Sequence, residues 1–410
     1  VDIEIIRGSN NDFKSAVEPF YRKSMSDSSR IQTERYLSSM WSMYLSEIGK
    51  TTQINKDTLD AYAEDLRIRD ASEAYGLGLI DGLKYRDEIE KILMKKTKVS
   101  TSADLLFFDF DTYCKRLFVK DQNVVEFSDP KIAVVVAEGD ISVDGEGVSS
   151  TTICNHFSKV REDESINAVV FRVNSPGGSA LASEEIWREV ELTNKIKPVI
   201  VSMGDLAASG GYYVATPATR IFASPSTITG SIGVFGMIPY TGDMLENKLG
   251  ITFDYVSTHS HGVLSLNKKL TDKELMIVKE KTDEVYQLFL SRVASGRKME
   301  LSKVHRVARG RVWTGVDALS IGLIDELGGM KDALMYAKKL IRSKDASVIY
   351  YPKIKENGLE NLVRFLEEEN SLESKSLLHH PLLNEMDKNI HRIEQMKGIQ
   401  MRMPYDIKIN

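Results

Sequence analysis

Two distant segments of the chain resemble each other, and this internal repeat restricts the fold more than any other feature. Residues 71–89 (ASEAYGLGLIDGLKYRDEI) match residues 316–334 (VDALSIGLIDELGGMKDAL), and GLID occurs in both. A repeat on this scale indicates two related structural units. The complete copy is expected at 131–345, whereas residues 1–128 correspond to the back half of another copy, so that the tandem repeat is incomplete at its N-terminus.

The complete copy alternates between two kinds of pattern. Short apolar runs predict strands, and amphipathic stretches between them predict helices. The predicted strands are 131–141, 167–174, 198–203 and a pair within 220–236, and the predicted helices are 151–163, 182–196 and 207–218. This alternation is typical of parallel βαβ units, which places the chain in the α/β class.

The two ends of the chain show different patterns. VDIEIIRG at the start of the chain predicts a strand. The internal repeat aligns this segment with ITFDYVST at 251–258, which is therefore predicted to be a strand as well. Residues 346–410 form a third region, a charged helical segment followed by an extended tail from Met403. Because the chain starts abruptly on a strand, we expect it to be a fragment of something longer, with an anchor or signal segment upstream.

The charge and the two cysteines limit the function classes. A net charge of −5 argues against an electrostatic nucleic-acid binder, because phosphate-binding surfaces carry a basic excess. Cys114 and Cys154 are too few for a disulfide framework and lack metal-ligand spacing. The sequence also contains no uninterrupted apolar run long enough for a membrane span and no N-terminal signal pattern.

Two loops follow predicted strands at the sheet edge where α/β proteins collect reactive groups. NSPGGS at 174–179 holds paired glycines, which either form a tight turn or bring an N–H close to a ligand oxygen. GDLAASGG at 204–211 places Ser209 at a helix start. Ser209 is either a small residue that permits close packing or a nucleophile beside unpaired helix N–H groups.

A nucleophilic serine at neutral pH requires a base. No sequence pattern connects any histidine with Ser209. His259 and His261 lie in a polar loop, and His379 and His380 lie in the charged segment near the end of the chain. A lysine can act as the base when burial keeps its amine neutral. The residue pattern alone does not select one lysine among the many.

Several separated motifs together resemble one family. NSPGGS, VSMGDLAASGGYYVATPA, STITGSIGVFG and GRVWTGVDALSIGLIDELGG are similar to the signal peptide peptidase A family, also called protease IV. The resemblance runs from residue 1 to about residue 345 in the order of the family's motifs. It implies that the chain is a membrane-associated serine protease with a Clp protease/crotonase-like α/β fold.

The resemblance also implies roles for individual residues. Ser209 is the implied nucleophile, and the N–H groups of Gly178 and Gly210 are the implied oxyanion hole. In long, two-repeat members the base lies in a KSAVEPF motif, which makes Lys14 the implied base here. Ser231 in TGSIG is the implied hydroxyl that orients the lysine amine. Short, single-repeat members of the family carry their lysine at a position that aligns with about Gly262 in this chain. The complete repeat here thus has the serine without the lysine, and the incomplete repeat has the lysine without the serine. The resemblance therefore implies that each half of the chain needs the other.

The resulting expectation is a Ser/Lys endopeptidase without metal or organic cofactor. Its implied substrates are cleaved signal peptides and other hydrophobic segments, and its implied location is the bacterial cytoplasmic membrane, with the catalytic part facing the periplasm and the membrane attachment supplied by a segment outside this chain. A homotetramer is implied for the long form. The alternatives are a crotonase-type acyl-CoA hydratase or isomerase, which gives Ser209 no task, and a non-catalytic envelope scaffold.

Overall fold

The chain divides into two units, each with its own internal contacts. One unit combines Val1–Tyr36 with Ser128–Asn410, and the other is Leu37–Phe127. The computed structural model describes residues 2–107, 113, 130–145, 147–352 and 398–402. The predicted boundary between repeats at 128–131 stays a prediction.

All the described strands lie in the first unit, whereas the described part of the second unit contains helices and no strand. The strands are β1 (Asp2–Arg7), β2 (Lys131–Glu138), β3 (Ile141–Ser142), β4 (Val148–Ser149), β5 (Ile166–Ser175), β6 (Gly177–Ser179), β7 (Val199–Ala208), β8 (Arg220–Ala223), β9 (Ile228–Gly230), β10 (Phe235–Tyr240), β11 (Val312–Thr314), β12 (Glu326–Leu327), β13 (Ser347–Tyr351) and β14 (Gly398–Arg402). The helices are α1 (Asp27–Thr52), α2 (Lys56–Glu64), α3 (Ala71–Gly76), α4 (Arg86–Thr97), α5 (Ser150–Glu162), α6 (Ala180–Asn194), α7 (Gly210–Ala215), α8 (Gly242–Leu249), α9 (Asp272–Arg297), α10 (Leu301–Val307), α11 (Gly315–Ile321) and α12 (Met330–Leu340).

A largely parallel sheet forms the centre of the first unit. Its strand order is β11-β9-β7-β5-β2-β13, with β8 beside β7 and β12 beside β8, and only the β11–β9 pair among these is antiparallel. The central strands are apolar along their length because both faces are covered. Ala133 and Val135 belong to one core cluster, and Ile132 and Val134 belong to another. Alternate residues of one strand therefore serve separate cores on the two faces of the sheet.

A second sheet pairs the start of the chain with β10. Its strand order is β1-β10-β14-β6-β3-β4. β1 runs antiparallel to β10, with Asp2 opposite Tyr240 and Arg7 opposite Phe235. This pairing places the residues that follow Arg7 beside the segment that joins β9 to β10.

The mixed α/β class is confirmed, and two local predictions are wrong. The helix predicted at 207–218 covers only Gly210–Ala215, because β7 continues through Ala208 along β5 and β9. Residues 251–258, all of which the structure describes, are exposed and contain no strand. No neighbouring strand pairs with them there, so their alternating pattern does not produce a strand. The Clp protease/crotonase-like repeat detail stays a prediction.

The two GLID segments share one local structure. After α3, the N–H of Gly78 bonds to Tyr75 O and the N–H of Leu79 bonds to Ala74 O. After α11, Gly322 and Leu323 make the equivalent bonds to Leu319 O and Ala318 O. Both glycines have positive φ, at +73° and +86°, which is the usual end of a helix at a left-handed residue. The GLID sequence thus marks the end of a helix in both copies.

The region from 346 onward is described only in part. β13 pairs with β2 in parallel, and β14 joins the second sheet. The helical prediction for the charged segment and the tail from Met403 lie outside the described residues. Among the residues that the structure describes, no helix combines the length and the apolar character that a bilayer crossing requires.

Candidate active site

The amine of Lys14 lies at the centre of the candidate site. Lys14 follows β1 and precedes the 3-10 helix Ser15–Phe20. Its Nζ lies 2.7 Å from Ser209 Oγ, 2.9 Å from Ser231 Oγ and 3.0 Å from the carbonyl oxygen of Ser231. All three residues are fully buried. The structure therefore brings together three residues that the sequence places far apart.

Burial lowers the pKa of Lys14 well below its ordinary value, because an ammonium ion loses its hydration there. The oxygen atoms that contact the amine belong to two serines and carry no formal charge. These contacts orient the amine without supplying the negative charge that would favour protonation. The environment thus favours a neutral amine, which is the form that can accept a proton.

Ser209 occupies a constrained turn between β7 and α7. Its φ of +56° is unusual for a residue with a side chain. The N–H of Ser209 donates to Gly230 O at 2.8 Å, and its carbonyl accepts from Tyr213 N at 2.8 Å, in the first turn of α7. A strained turn that presents a side chain at a strand-to-helix junction is typical of catalytic nucleophiles.

Ser231 follows β9 and is also held at positive φ, +49°. Its N–H donates to Arg311 O at 2.7 Å, immediately before β11. The preceding strand β9 pairs with β7, which ends at Ala208, directly before Ser209. The two serines are therefore fixed by neighbouring strands, and the Lys14 amine lies within hydrogen-bond distance of both.

Close packing accounts for the glycines that follow Ser209, but not for Ser209 itself. A Cβ added to Gly210 would lie 2.5 Å from Ser183 Oγ, and one added to Gly211 would lie 2.5 Å from Ser175 O. Packing therefore explains these glycines. It does not explain a hydroxyl at position 209 that points to a buried amine.

Gly177 and Gly178 lie in β6, beside the start of α7. Gly177 has φ +99°, and a Cβ added to it would lie 2.6 Å from Gly210 N. A Cβ added to Gly178 would lie 2.1 Å from Ile141 O in β3. The paired glycines thus permit a close approach of β6 to both neighbours, and they bring the backbone of the predicted oxyanion residues Gly178 and Gly210 into one region.

Sequence reasoning missed Gln32, a fully buried residue of α1. Its Nε2 donates to Phe13 O and to Ser15 Oγ, both at 3.0 Å, so it holds the residues on either side of Lys14. Its Oε1 accepts from Val312 N at 3.2 Å, next to the Arg311 carbonyl that fixes Ser231. One side chain thus links the Lys14 segment to the Ser231 segment. The sequence around Gln32 gives no signal of its burial, since the neighbouring apolar residue Ile31 is the exposed one.

Two further hydrogen bonds fix the residues immediately before Lys14. The N–H of Phe13 donates to Arg309 O at 3.0 Å, and Asn11 Nδ2 donates to Val234 O at 2.8 Å. A Cβ added to Gly310 would lie 2.5 Å from Lys14 Cβ, so the loop after α10 contacts the lysine directly. The residues before Lys14 and the contact with Gly310 thus hold Lys14 in position.

The histidines considered as alternative bases lie elsewhere or outside the described residues. His261 Nδ1 lies 3.0 Å from Glu274 Oε1, and His259 Nδ1 lies 3.0 Å from Thr258 Oγ1. His379 and His380 fall in the part of the chain that is not described. Cys154 is a free, half-buried thiol whose pKa burial raises to about 12, which makes it a poor nucleophile.

A buried hydroxyl beside an amine of lowered pKa, with backbone N–H groups nearby, is an arrangement suited to acyl transfer. The hydroxyl can lose its proton to the amine as it attacks a carbonyl. Neighbouring N–H groups can then hold the oxyanion. A nucleophilic hydroxyl, a base within hydrogen-bond distance and oxyanion donors are the parts that acyl transfer by a serine requires.

Comparison with known proteins identifies the family of the chain. The sequence profile of Peptidase family S49 matches residues 1–100 and 191–344. The chain is 36% identical over 350 residues to Protease 4 of Haemophilus influenzae, covering 82% of this chain and 56% of the relative. It is 33% identical over 338 residues to the chloroplastic serine protease SPPA of Arabidopsis thaliana, covering 80% of this chain and 49% of the relative. The chain thus spans about half the length of these relatives.

A solved structure gives a weaker similarity. A mutant of the 1510-N membrane-bound stomatin-specific protease superimposes with a TM-score of 0.36 at 16% identity, covering 55% of this chain and 98% of the other.

Proposed function

The chain belongs to peptidase family S49, and from this premise we propose that it is a serine endopeptidase with Ser209 as nucleophile and Lys14 as general base. The observation that carries the proposal is the 2.7 Å distance between Lys14 Nζ and Ser209 Oγ inside one fully buried site. Burial lowers the pKa of the Lys14 amine and so favours the neutral form, which can accept the hydroxyl proton.

The proposed reaction proceeds in two stages. Lys14 takes the proton of Ser209 while the hydroxyl oxygen attacks a peptide carbonyl, and the N–H groups of Gly178 and Gly210 hold the tetrahedral oxyanion. The lysinium then protonates the leaving amine as the C–N bond breaks. A water molecule next loses its proton to Lys14, attacks the ester and releases the acid, which regenerates the Ser209 hydroxyl.

Ser231 has a positioning role in this proposal. Both its hydroxyl and its carbonyl oxygen contact the Lys14 amine, so two of the three contacts of the amine orient it toward the third, Ser209. A fixed amine loses less entropy in reaching the transition state. Ser231 is itself fixed through Arg311, as described above.

The proposed substrates are cleaved signal peptides and other hydrophobic peptide segments. Support comes from the resemblance of the 174–179, 201–218 and 226–236 motifs to signal peptide peptidases. We place the enzyme at the bacterial cytoplasmic membrane with its catalytic unit outside the cytoplasm, and attribute its attachment to a segment beyond the residues of this chain.

A homo-oligomer, taken as a tetramer, is part of the same proposal. An apolar stripe on α1 supports it, because its members recur every three or four residues and remain exposed by 39–54%. The stripe consists of Leu37, Trp41, Tyr44 and Ile48. Light scattering at several concentrations measures the assembly state. A monomer at all of them would contradict this part of the proposal.

A serine-directed acylating probe tests the catalytic core of the proposal. We expect a single adduct on Ser209, identified by mass spectrometry, and hydrolysis of an apolar reporter peptide. Ser209→Ala removes the adduct. Ser226→Ala, a neighbouring serine outside the site, is the matched control and keeps it. Intact, folded protein that neither labels at Ser209 nor cleaves peptides would favour the scaffold alternative.

A further inference from the structure

The two proposed oxyanion donors lie at the starts of two neighbouring helices. Gly178 lies in β6, which leads directly into α6 at Ala180, and Gly210 is the first residue of α7. The two helices pack closely at this point, since a Cβ added to Gly210 would lie 2.5 Å from Ser183 Oγ of α6. The placement of α7 against α6 therefore determines the distance between the two N–H groups.

α7 depends on contacts with other elements, because it has only six residues and a helix of that length has few internal hydrogen bonds. Tyr213, in its first turn, is fully buried, and its hydroxyl donates to Glu184 Oε2 of α6. The backbone N–H of Tyr213 donates to Ser209 O at 2.8 Å. One residue thus connects α6 to the turn that holds Ser209 and Gly210.

A second bridge between the two helices lies at the end of α7. Trp187 Nε1 of α6 donates to Thr216 Oγ1 at 3.1 Å, and Thr216 Oγ1 donates to Tyr213 O at 2.8 Å. Arg292 of α9 connects the two bridges, because its guanidinium donates to Glu184 Oε1 and its Cζ lies 3.6 Å from the centre of the Trp187 ring. Burial, and then the Glu184 carboxylate, raise the pKa of the Tyr213 hydroxyl, which therefore stays protonated and able to donate.

We propose that Tyr213 and Glu184 form a clamp that positions the oxyanion hole, and that Arg292 holds Glu184 in place. The clamp joins the helix that follows Gly178 to the helix that starts at Gly210, so its loss changes the spacing of the two donors. These are positioning residues, because they act through the two helices. The inference rests on the proposed endopeptidase function and adds the residues that adapt its oxyanion hole to the transition state.

The opposing explanation is that the Tyr213–Glu184 bond only stabilises the fold. A bond of that kind affects all ligands of the site alike. A bond that positions the oxyanion donors affects only the ligands that place a tetrahedral oxygen between them. The two explanations therefore differ in how a variant discriminates between two kinds of inhibitor.

A peptide aldehyde and the matching peptide alcohol are these two kinds of inhibitor. The aldehyde carbon bonds to Ser209 Oγ, the hydroxyl proton passes to Lys14, and the carbonyl oxygen becomes the oxyanion of a tetrahedral adduct. The alcohol has no carbonyl and forms no adduct. Inhibition of reporter-peptide hydrolysis by the full chain measures both affinities. We expect Tyr213→Phe to weaken the aldehyde at least about tenfold, to change the alcohol less than about twofold, and to lower kcat with KM unchanged.

Tyr212→Phe is the matched control. Tyr212 is the neighbouring residue of α7 and is equally buried, but its hydroxyl donates to Leu323 O at 2.8 Å and not to α6. We expect this variant to keep the wild-type ratio of aldehyde affinity to alcohol affinity, even if its stability falls. An unchanged ratio in Tyr213→Phe, or an equal change of the ratio in both variants, would overturn the inference.

Variants of Glu184 test the other side of the clamp. Glu184→Gln keeps an oxygen that can accept from Tyr213 and should retain most of the ratio, whereas Glu184→Leu should lower it about as much as Tyr213→Phe. The double variant Tyr213→Phe/Glu184→Leu leaves no hydroxyl without its acceptor and should show no further loss. A further loss in the double variant would show that the two residues act independently. Loss of cooperative unfolding in Tyr213→Phe, Glu184→Leu and the double variant would make the bond a structural tie and overturn the inference.

The outcomes also separate this inference from the proposed function. A wild-type chain that forms the aldehyde adduct on Ser209, together with an unchanged ratio in Tyr213→Phe, keeps the peptidase and rejects the clamp. A wild-type chain that forms no adduct and cleaves no peptide rejects both.

Discussion

The Lys14 amine lies 2.7 Å from the Ser209 hydroxyl although 195 residues separate them in the chain. Two strand pairings produce this proximity. β1 pairs with β10 and delivers Lys14, while β9 pairs with β7 and sets Ser231 beside Ser209. The lysine and the serine are therefore two halves of one site, and neither sequence neighbourhood contains the whole of it.

The first prediction concerns the pair itself. Ser209→Ala and Lys14→Met should each lower kcat/KM for an apolar reporter peptide by at least about a thousandfold, because the nucleophile and its base act as one unit. The double variant should be no worse than either single one, since either loss already removes the pathway. Steady-state hydrolysis measures all three. Additive losses in the double variant would show that the two residues act independently.

The second prediction is the pH dependence of the reaction. Burial lowers the pKa of Lys14 in the folded protein, so the neutral amine becomes available well below the ordinary lysine pKa of about 10.4. We expect kcat/KM to rise with pH along a one-proton limb and to level off above the lowered pKa. Lys14→Arg should stay at background at every pH, because a guanidinium does not release its proton. An unchanged limb in that variant would exclude Lys14 as its source.

The same pKa has a consequence for stability. Between the lowered folded pKa and about 10.4, the unfolded chain binds a proton at Lys14 that the folded chain does not bind. The free energy of unfolding therefore rises with pH across that window. Lys14→Met lacks this contribution, so the wild-type protein should gain stability relative to the variant as pH increases. Urea unfolding of both proteins at several pH values measures the difference.

The α/β alternation could be predicted from the sequence because the residues of each strand indicate it without reference to distant parts of the chain. Val169–Phe171 and Val199–Val201 are short apolar runs whose burial on both sheet faces follows from their composition. The identity of the base could not be predicted in this way, because nothing around Lys14 indicates burial. It came from resemblance to a family, and its catalytic role remains a prediction.

Two other features were beyond sequence reasoning for physical reasons. Residues 398–402 form a strand because β6 and β10 both pair with them, and such a strand depends on its neighbours more than on its own residues. Residues 251–258 show an alternating pattern but have no strand beside them in the described structure. A pattern predicts a strand only where a partner edge is available.

The third prediction assigns a positioning role to Gln32. Gln32→Leu keeps the side chain buried but leaves Phe13 O and Val312 N without their partner, at a cost of about 1–3 kcal/mol for each buried group. We expect kcat to fall about tenfold to a hundredfold, with a displaced midpoint of the acid limb, because the Lys14 segment is no longer held. Glu34→Leu changes an exposed residue two positions on and should alter neither quantity. A kcat loss without any change in the pH midpoint would indicate general destabilisation.

The fourth prediction concerns the support beneath α7. Gly296 of α9 lies against the end of α7, and a Cβ added there would lie 2.0 Å from the carbonyl oxygen of Thr216. Alanine normally stabilises a helix interior relative to glycine by about 1 kcal/mol. Here the contact is with backbone, which cannot move aside as a flexible side chain can, so Gly296→Ala should lower the free energy of unfolding by about 1–3 kcal/mol.

The matched control for this prediction is the preceding position of the same helix. Ser295 is exposed, and Ser295→Ala should be neutral or slightly stabilising by helix propensity, about 0.5 kcal/mol at most. Denaturant unfolding of the two variants measures the difference directly. Because α7 begins at Gly210, next to Ser209, a shift of α9 away from Thr216 should also slow the acylation of Ser209 by the probe. Equal stability of the two variants would mean that α9 and α7 are not in close contact at this point.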